Sequence, residues 1–271
     1  MFRGARALWR WKAANSTFCG DRTLGSVEKE ALERLKDPIS VRLRKTTRDD
    51  DERWYKADHV DHVYPSVTSI LRQTMSPSNR FVLWRWKREK RKELGDAGLK
   101  KLHQDTLNRG VALHKTMESF FLTGSIDVTS SSVNPFWKSV EPVLDLLNRP
   151  LALESTAVHS HLHYAGTFDC IAMYRNRPCL IEWKTSDRAR PTLAHCFDFP
   201  IQAAAYAGAV NVDANYPFKV DQALVVVAYG NGDPAHVHWM PLGVCEAFWD
   251  DWLRRLDDYR KVNASASPVT Q

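Results

Sequence analysis

The pattern of hydrophobic and polar positions predicts a β-hairpin near the middle of the chain. Between Gly166 and Ser186, two apolar runs rich in β-branched and aromatic residues flank a polar turn at residues 175–177. An apolar run at residues 153–163 predicts a strand that leads into this hairpin. The chain is therefore expected to have a β-rich centre around which its other elements assemble.

The spacing of apolar residues also predicts the elements on either side of the hairpin. Residues 64–71 are typical of a turn into a helix, with Ser66 or Thr68 as the N-cap. The other predicted helices are 79–107 with a break at Gly95–Gly98, 108–122, 135–147, one that begins at Asp198, and 245–262. Further strands are predicted at 222–229 and 235–240. This order predicts an α/β fold in which helices flank a mixed central β-sheet.

Charge patterning divides the 271 residues into four segments. Residues 1–20 contain regularly spaced arginines and aromatic residues and no acidic residue, which is typical of a mitochondrial presequence; a disordered basic tail is the alternative. Residues 21–60 have mixed charges and predict a flexible linker with one short helix at 28–36. Residues 61–262 are expected to form the folded domain, followed by a disordered tail at 263–271.

Composition limits the classes of partner. A net charge of +6 suits a polyanion, although many proteins are mildly basic. The five cysteines form no Cys-x-x-Cys pair, and their odd number fits a reducing compartment. No apolar stretch approaches the length of a membrane-spanning helix, so we expect no membrane partner.

Three charged side chains of the hairpin are the strongest candidates for chemistry. A turn centred on Asn176 and Arg177 would place Asp169 opposite Lys184, and diagonally from Glu182 on the same face. Two adjacent carboxylates repel each other unless a cation joins them, and Mg²⁺ binds carboxylate and phosphate oxygens together. Residue types alone leave two interpretations open: a metal site, or an ordinary cross-strand ion pair.

The motifs around this hairpin resemble those of the PD-(D/E)XK nuclease superfamily. This chain has Phe168 where many members of the superfamily have a proline. The matching elements are Asp169 with Glu182-Trp183-Lys184, Gly166-Thr167-Phe168-Asp169, Gln202-Ala203-Ala204-Ala205-Tyr206, and Arg109-Gly110 followed by His114. Together they resemble the RecB-type branch, and Pro65-Ser66-Val67-Thr68 is similar to the mitochondrial exonucleases of that branch. The resemblance implies a restriction-endonuclease-like core.

The resemblance also implies a role for each motif residue. Mg²⁺ or Mn²⁺ would be bound by Asp169, Glu182, His114 and the Trp183 carbonyl, while Lys184 positions the attacking water. The supporting residues would be Gln202 beside the metal site, Tyr206 against nucleic acid or the lysine, Thr185 and Ser186 near the scissile phosphate, and Ser66 and Thr68 at the helix cap or a phosphate. Helical spacing places Glu118 one turn beyond His114, where it is expected to orient the imidazole.

The function implied is a metal-dependent exonuclease that acts as a monomer on single-stranded DNA and DNA flaps in the mitochondrial matrix. The alternatives are a non-catalytic single-strand-binding protein with a nuclease fold and a structure-specific flap endonuclease. The basic run at 85–92 is either a solvated helix face or a wall of the strand-binding channel. The roles of Glu154 and of the alternating histidines 159, 161 and 163 stay open.

Overall fold

The computed structural model describes residues 43–48, 52–57, 63–124 and 134–266. The predicted presequence and the short helix predicted at 28–36 lie outside these ranges. The described elements, in chain order, are β1 (Leu43–Arg48), β2 (Glu52–Ala57), β3 (Val63–Pro65), α1 (Val67–Gln73), α2 (Pro77–Thr123), α3 (Asn134–Leu144), β4 (Leu147–His159), β5 (Tyr164–Tyr174), β6 (Arg177–Ser186), a 3₁₀ turn (Leu193–Cys196), α4 (Phe199–Val212), β7 (Ala223–Tyr229), β8 (His236–Met240) and α5 (Leu242–Ala266).

The central sheet has five strands in the order β4-β5-β6-β7-β8. Neighbouring strands are antiparallel except β6 and β7, which are parallel and are joined through α4. One hydrophobic core lies between the sheet and α1, α4 and α5, and another lies between the sheet and α2 and α3. The predicted α/β architecture, a mixed central sheet flanked by helices, is confirmed.

The predicted register of the central hairpin was wrong. The turn residues are Arg175 and Asn176, with φ of 51° and 59°, so β5 and β6 meet in a two-residue turn closed by Tyr174 and Arg177. Ile171 therefore faces Leu180 instead of Glu182. The observed pairing register differs from the predicted one by two residues. Because side chains alternate between the two faces with period two, the acidic residues stay on the predicted face.

Strands β1 and β2 lie in the segment for which the charge pattern predicted a flexible linker. They form a small antiparallel sheet with β3. Tyr55 is buried against Ala165, and its hydroxyl accepts a hydrogen bond from the Thr167 amide at 3.1 Å. This sheet therefore packs beside the strand that carries Asp169.

Helix α2 runs through the position where two separate helices were predicted. Gly95, with φ 70° and ψ 178°, kinks it within the predicted break at residues 95–98. At the predicted boundary, Leu107 and Asn108, the helix has neither a proline nor a left-handed residue. It therefore continues to Gly124, which ends it in a left-handed conformation. At the other end of the chain, α5 extends into the predicted disordered tail.

Helix α4 packs closely on its neighbours because most of its buried residues are small. The buried face includes a run of alanines and Gly208. A Cβ at Gly208 would lie 2.1 Å from Cζ3 of the buried Trp249. The absence of a side chain here lets α5 approach α4.

Gly208→Ala is therefore expected to destabilise the protein by about 1–3 kcal/mol, although alanine has the higher helix propensity. The indole is fixed inside the core and has little room to move. Urea unfolding measures the change, with Gly243→Ala as a control, because a Cβ at Gly243 meets nothing within 4 Å. An increase in stability for Gly208→Ala would contradict this description of the α4–α5 contact.

Candidate metal centre

The site forms where β5 and β6 stop pairing with each other. Their paired residues run from Tyr174 and Arg177 at the turn to Cys170 and Ile181. Beyond that point, Oδ2 of Asp169 accepts a hydrogen bond from the Trp183 amide at 2.8 Å. The Trp183 carbonyl accepts one from Nε2 of His114 at 3.3 Å. Side chains thus satisfy the backbone of β6 here, and α2, β5 and β6 meet at one point.

Three potential ligand atoms converge at this point. Nδ1 of His114 lies 3.3 Å from Oε1 of Glu154 and 3.4 Å from Oδ1 of Asp169. One ligand atom from each residue lies within 4.8 Å of the other two. Imidazole and carboxylate groups in this arrangement are suited to a divalent cation.

Glu154 joins the cluster through an unusual backbone conformation. Its φ is 42°, in the left-handed region, while Leu153 and Ser155 on either side keep their pairing with β5. A positive φ is uncommon for glutamate and costs on the order of 1–3 kcal/mol. The surrounding strands hold this conformation at the position where the carboxylate faces His114.

Glu182 and Lys184 lie beside the cluster on β6. Glu182 is 1% exposed, and its Oε1 accepts a hydrogen bond from Nζ of Lys184 at 2.6 Å. Its Oε2 is buried and has no hydrogen-bond partner among the described residues. A buried carboxylate oxygen without a donor is costly. A cation that bound Asp169 and Oε2 of Glu182 together would satisfy it, so the residues present fit a metal ion.

Burial and the density of carboxylates shift the pKa values of this site. Burial, reinforced by the charge of Glu182, raises the pKa of Asp169. Burial alone would lower the pKa of His114, but its hydrogen bond to Glu154 and the charges of the nearby carboxylates raise it to about 9. Lys184 behaves similarly: burial opposes its charge, yet Glu182 and Asp169 outweigh burial and raise its pKa. Without a metal, protons and the ammonium group balance the acidic residues.

The metal-free protein is expected to lose stability as pH rises. The pKa of His114 is 6.5 when unfolded and about 9 when folded, so its contribution is fully present below pH 6.5 and is lost as pH rises through about 9. The raised pKa of Asp169 acts in the same direction. Thermal unfolding in chelator at several pH values measures this trend. His114→Gln should flatten it, and stability that rises with pH in the wild type would contradict it.

Glu118 does not orient the imidazole as predicted. Both ring nitrogens of His114 are directed at other groups, Nδ1 at Glu154 and Asp169 and Nε2 at the Trp183 carbonyl. Glu154 occupies the position expected for Glu118. Burial and the charge of Glu154 raise the pKa of Glu118, so the two carboxyl groups still interact electrostatically.

The remaining predicted residues of the site have mainly structural contacts. Ser66 is buried and caps α1, since its Oγ accepts a hydrogen bond from the Ser69 amide at 3.0 Å, and Thr68 lies next to it. Ser186 bonds with the backbone of Arg188 and organises the turn after Thr185 at the end of β6.

The Gln202–Tyr206 pair lies under the sheet. Nε2 of Gln202 donates to the Tyr206 hydroxyl at 3.1 Å. Tyr206 is 3% exposed, and its ring packs so tightly on Gly166 that a Cβ there would lie 2.3 Å from Cε1. With this burial, the side chain of Tyr206 braces the strand that carries Asp169 and presents little surface to a nucleic acid.

Comparison with known proteins identifies relatives of this chain. It is 40% identical over 206 residues to mitochondrial genome maintenance exonuclease 1 of Mus musculus, covering 75% of this chain and 61% of the relative. Over this span the chain is similar to mitochondrial genome maintenance exonuclease 1. The Xenopus tropicalis protein of that name is 42% identical over 200 residues (73% of this chain, 57% of the relative), and the Homo sapiens protein is 39% identical over 202 residues (73% and 58%). This similarity confirms the resemblance to mitochondrial exonucleases that the motifs predicted.

The chain spans about three fifths of the length of these mitochondrial genome maintenance exonuclease 1 relatives. No family model matches the chain. A crystal structure of SSO0001 aligns with 85% of this chain and with 86% of the SSO0001 chain, at 12% identity and a TM-score of 0.31. Within the described ranges, no helix has the length and apolar character needed to cross a membrane.

Sequence reasoning left Glu154 without a role. Its only sequence signal was its place at the start of the strand predicted at residues 153–163. The positive φ that accompanies its position in the cluster cannot be read from the residue types around it. Sequence reasoning also did not predict the ion pair between Arg109 and Asp187, which lies just beyond the carboxyl end of β6.

Proposed function

We propose that this protein is a metal-dependent exonuclease that hydrolyses phosphodiester bonds of single-stranded DNA. The observation that carries the proposal is the convergence of His114, Glu154 and Asp169 beside the unpartnered Oε2 of Glu182. The names of the homologues support exonuclease activity as the function of this site.

Mg²⁺ or Mn²⁺ would be held by Asp169, Glu182 and His114, with Glu154 as a further carboxylate ligand and the Trp183 carbonyl at the edge of the site. Such a cation supplies Lewis-acid stabilisation of the negative charge that develops on the phosphate. Binding it requires the loss of the proton that the carboxylates favour on His114. Metal affinity should therefore rise with pH.

Lys184 would orient the attacking water and neutralise developing charge. Its ammonium group is half-buried between Glu182, at 2.6 Å, and the Phe199 ring, whose centroid is 5.0 Å away. Because the neighbouring carboxylates raise its pKa, the lysine stays protonated near neutral pH. It would therefore act as a hydrogen-bond donor and a positive charge, and another group would take the proton of the water.

The first half of α2 supports a path for a single strand. The rings of Phe81 and Trp84 lie 5.8 Å apart, and the guanidinium of Arg88 lies 4.9 Å from the Trp84 ring. Trp84 is 51% exposed, which leaves its ring accessible to a base. Base stacking on such aromatics contributes roughly 1–3 kcal/mol per base and is tolerant of sequence, while the basic residues would bind phosphates.

We place the activity in mitochondrial DNA maintenance in the matrix. Two observations support this location: the names of the homologues and the presequence-like composition of residues 1–20. We infer that the protein degrades single strands and flaps as a monomer, because the aromatic and basic residues of the strand path on α2 belong to one chain.

Digestion of end-labelled DNA tests the proposed function. Single strands should be degraded in Mg²⁺ and left intact in chelator, with duplex DNA degraded far more slowly. Strands with both ends blocked should resist the enzyme. Internal cuts in blocked strands would indicate a structure-specific endonuclease instead. Tight binding without any cleavage in Mg²⁺ or Mn²⁺ would indicate a non-catalytic single-strand-binding protein.

A further inference from the structure

A cavity of about 890 Å³ opens at the carboxyl ends of the parallel strands β6 and β7. Its lining includes Arg109, Phe136, Ser186, Asp187, Tyr229 and His236. Pockets for small ligands typically measure about 300–1,000 Å³, so a nucleotide would fit. Its aromatic lining residues Phe136 and Tyr229 are buried, whereas Asp187 is 61% exposed, an arrangement that suits a sugar and base with their phosphate towards solvent.

Arg109 is the cationic group of this cavity. Its two terminal nitrogens donate to Oδ1 and Oδ2 of Asp187 at 3.1 and 3.2 Å, and one of them also donates to Thr106 at 3.2 Å. Its Nε is buried and has no hydrogen-bond partner among the described residues. The Nε–H of the guanidinium is therefore unused, while both terminal nitrogens contact Asp187.

Asp187 is the more exposed partner of the ion pair. Its side chain is 61% exposed against 28% for Arg109, so solvent already screens the carboxylate. A phosphate offers the same two-oxygen geometry with at least as much charge, and arginine binds it in a bidentate manner. A phosphate at this place would therefore displace the carboxylate at little cost.

The cavity lies next to the candidate metal centre along two elements. Arg109 is on the same helix as His114, a little more than one turn away. Asp187 directly follows the last residue of β6, three residues after Lys184, and a rise of about 3.3 Å per residue places it roughly 10 Å from the lysine. This separation suits the nucleotide that adjoins the bond being cleaved.

We propose that this cavity binds the nucleotide next to the scissile phosphate, and that Arg109 transfers from Asp187 to the phosphate of that nucleotide. The inference rests on the proposed function, since it assigns a subsite for the same DNA strand. In the absence of DNA, the Asp187 carboxylate then binds Arg109 in place of the phosphate and keeps its side chain extended. The competing explanation is that the ion pair only clamps α2 to β6 and so positions His114.

The two explanations predict opposite effects for the two partners of the ion pair. Fluorescence anisotropy of a labelled oligothymidylate in chelator measures binding without cleavage. Arg109→Gln should weaken binding about tenfold, and the log–log salt slope should fall by about 0.7, the value for one phosphate contact on a single strand. Asp187→Asn should bind the strand as tightly as the wild type or more tightly, because it removes the competing carboxylate.

Arg177→Gln and Asp221→Asn are matched controls. That ion pair, 2.8 Å long with side chains 50% and 40% exposed, lies at the other end of β6, and neither change should alter DNA binding. Mn²⁺ affinity should stay unchanged in Arg109→Gln and Asp187→Asn. If Arg109→Gln folds poorly, Arg109→Lys keeps the charge and should bind DNA with an affinity between those of the wild type and Arg109→Gln.

Equal losses of DNA or Mn²⁺ binding in Arg109→Gln and Asp187→Asn would show a structural clamp and overturn this inference alone. Unchanged DNA binding in Arg109→Gln would overturn it as well. A wild-type protein that neither binds nor cleaves the strand would instead overturn the proposed function, and the subsite with it.

Discussion

Asp169→Asn is expected to reduce cleavage of single-stranded DNA by about a thousandfold without unfolding the protein. The metal contributes several kcal/mol of charge stabilisation, and each 1.4 kcal/mol is a factor of ten in rate. The asparagine oxygen still accepts the hydrogen bond from the Trp183 amide. Single-turnover cleavage in Mg²⁺ measures the loss, and thermal unfolding in chelator measures the stability.

The stability of Asp169→Asn separates a chemical effect from a structural one. Burial raises the pKa of Asp169, which means that the folded protein disfavours its charged form. A neutral asparagine should therefore leave the metal-free protein at pH 8 as stable as the wild type or more stable. Strand binding should persist. Wild-type cleavage by this variant, or lost cleavage that only accompanies unfolding, would contradict the assignment.

Lys184→Met is expected to lower cleavage by about a hundredfold or more while preserving metal binding. Methionine keeps most of the side-chain volume and removes the charge that would orient water at the phosphate. In metal-free protein the change leaves Glu182 buried without its 2.6 Å ion pair, so stability should fall. Added Mn²⁺ should restore the stability, because the cation then compensates the carboxylate.

Metal affinity distinguishes the lysine from the carboxylates. Asp169→Asn should weaken Mn²⁺ binding, whereas Lys184→Met should bind Mn²⁺ as tightly as the wild type or more tightly, since it removes a cation from Glu182. Parallel loss of metal binding and cleavage in Lys184→Met would mean that the lysine only supports the site. Arg177→Gln, at the other end of β6, serves as a control for both measurements.

The sequence predicted the strands of the central sheet in their order along the chain and the face on which the acidic residues lie. It predicted the hairpin register incorrectly because nothing in the residue types required a left-handed Arg175. The site was unaffected, because a shift by an even number of residues keeps each side chain on its face. Face assignment therefore depended on the period of the strand and not on the turn.

The elements that sequence reasoning missed lack a clear periodic signal. Strands β1 and β2 are highly charged, and Tyr55 alone among their described side chains is buried. Helical spacing correctly placed Glu118 one turn beyond His114, but the imidazole turns towards the sheet and meets Glu154. Tertiary packing decides both cases, and no local pattern in the chain encodes it.

Titration of Mn²⁺ into metal-free protein, followed by electron paramagnetic resonance, tests the shared cation site most directly. We predict saturable binding by the wild type at pH 8 and at least about tenfold weaker binding by Glu182→Gln, because the buried Oε2 of Glu182 is then no longer a charged ligand. Equal Mn²⁺ affinity in the two proteins would contradict the proposal that Glu182 and Asp169 hold one cation.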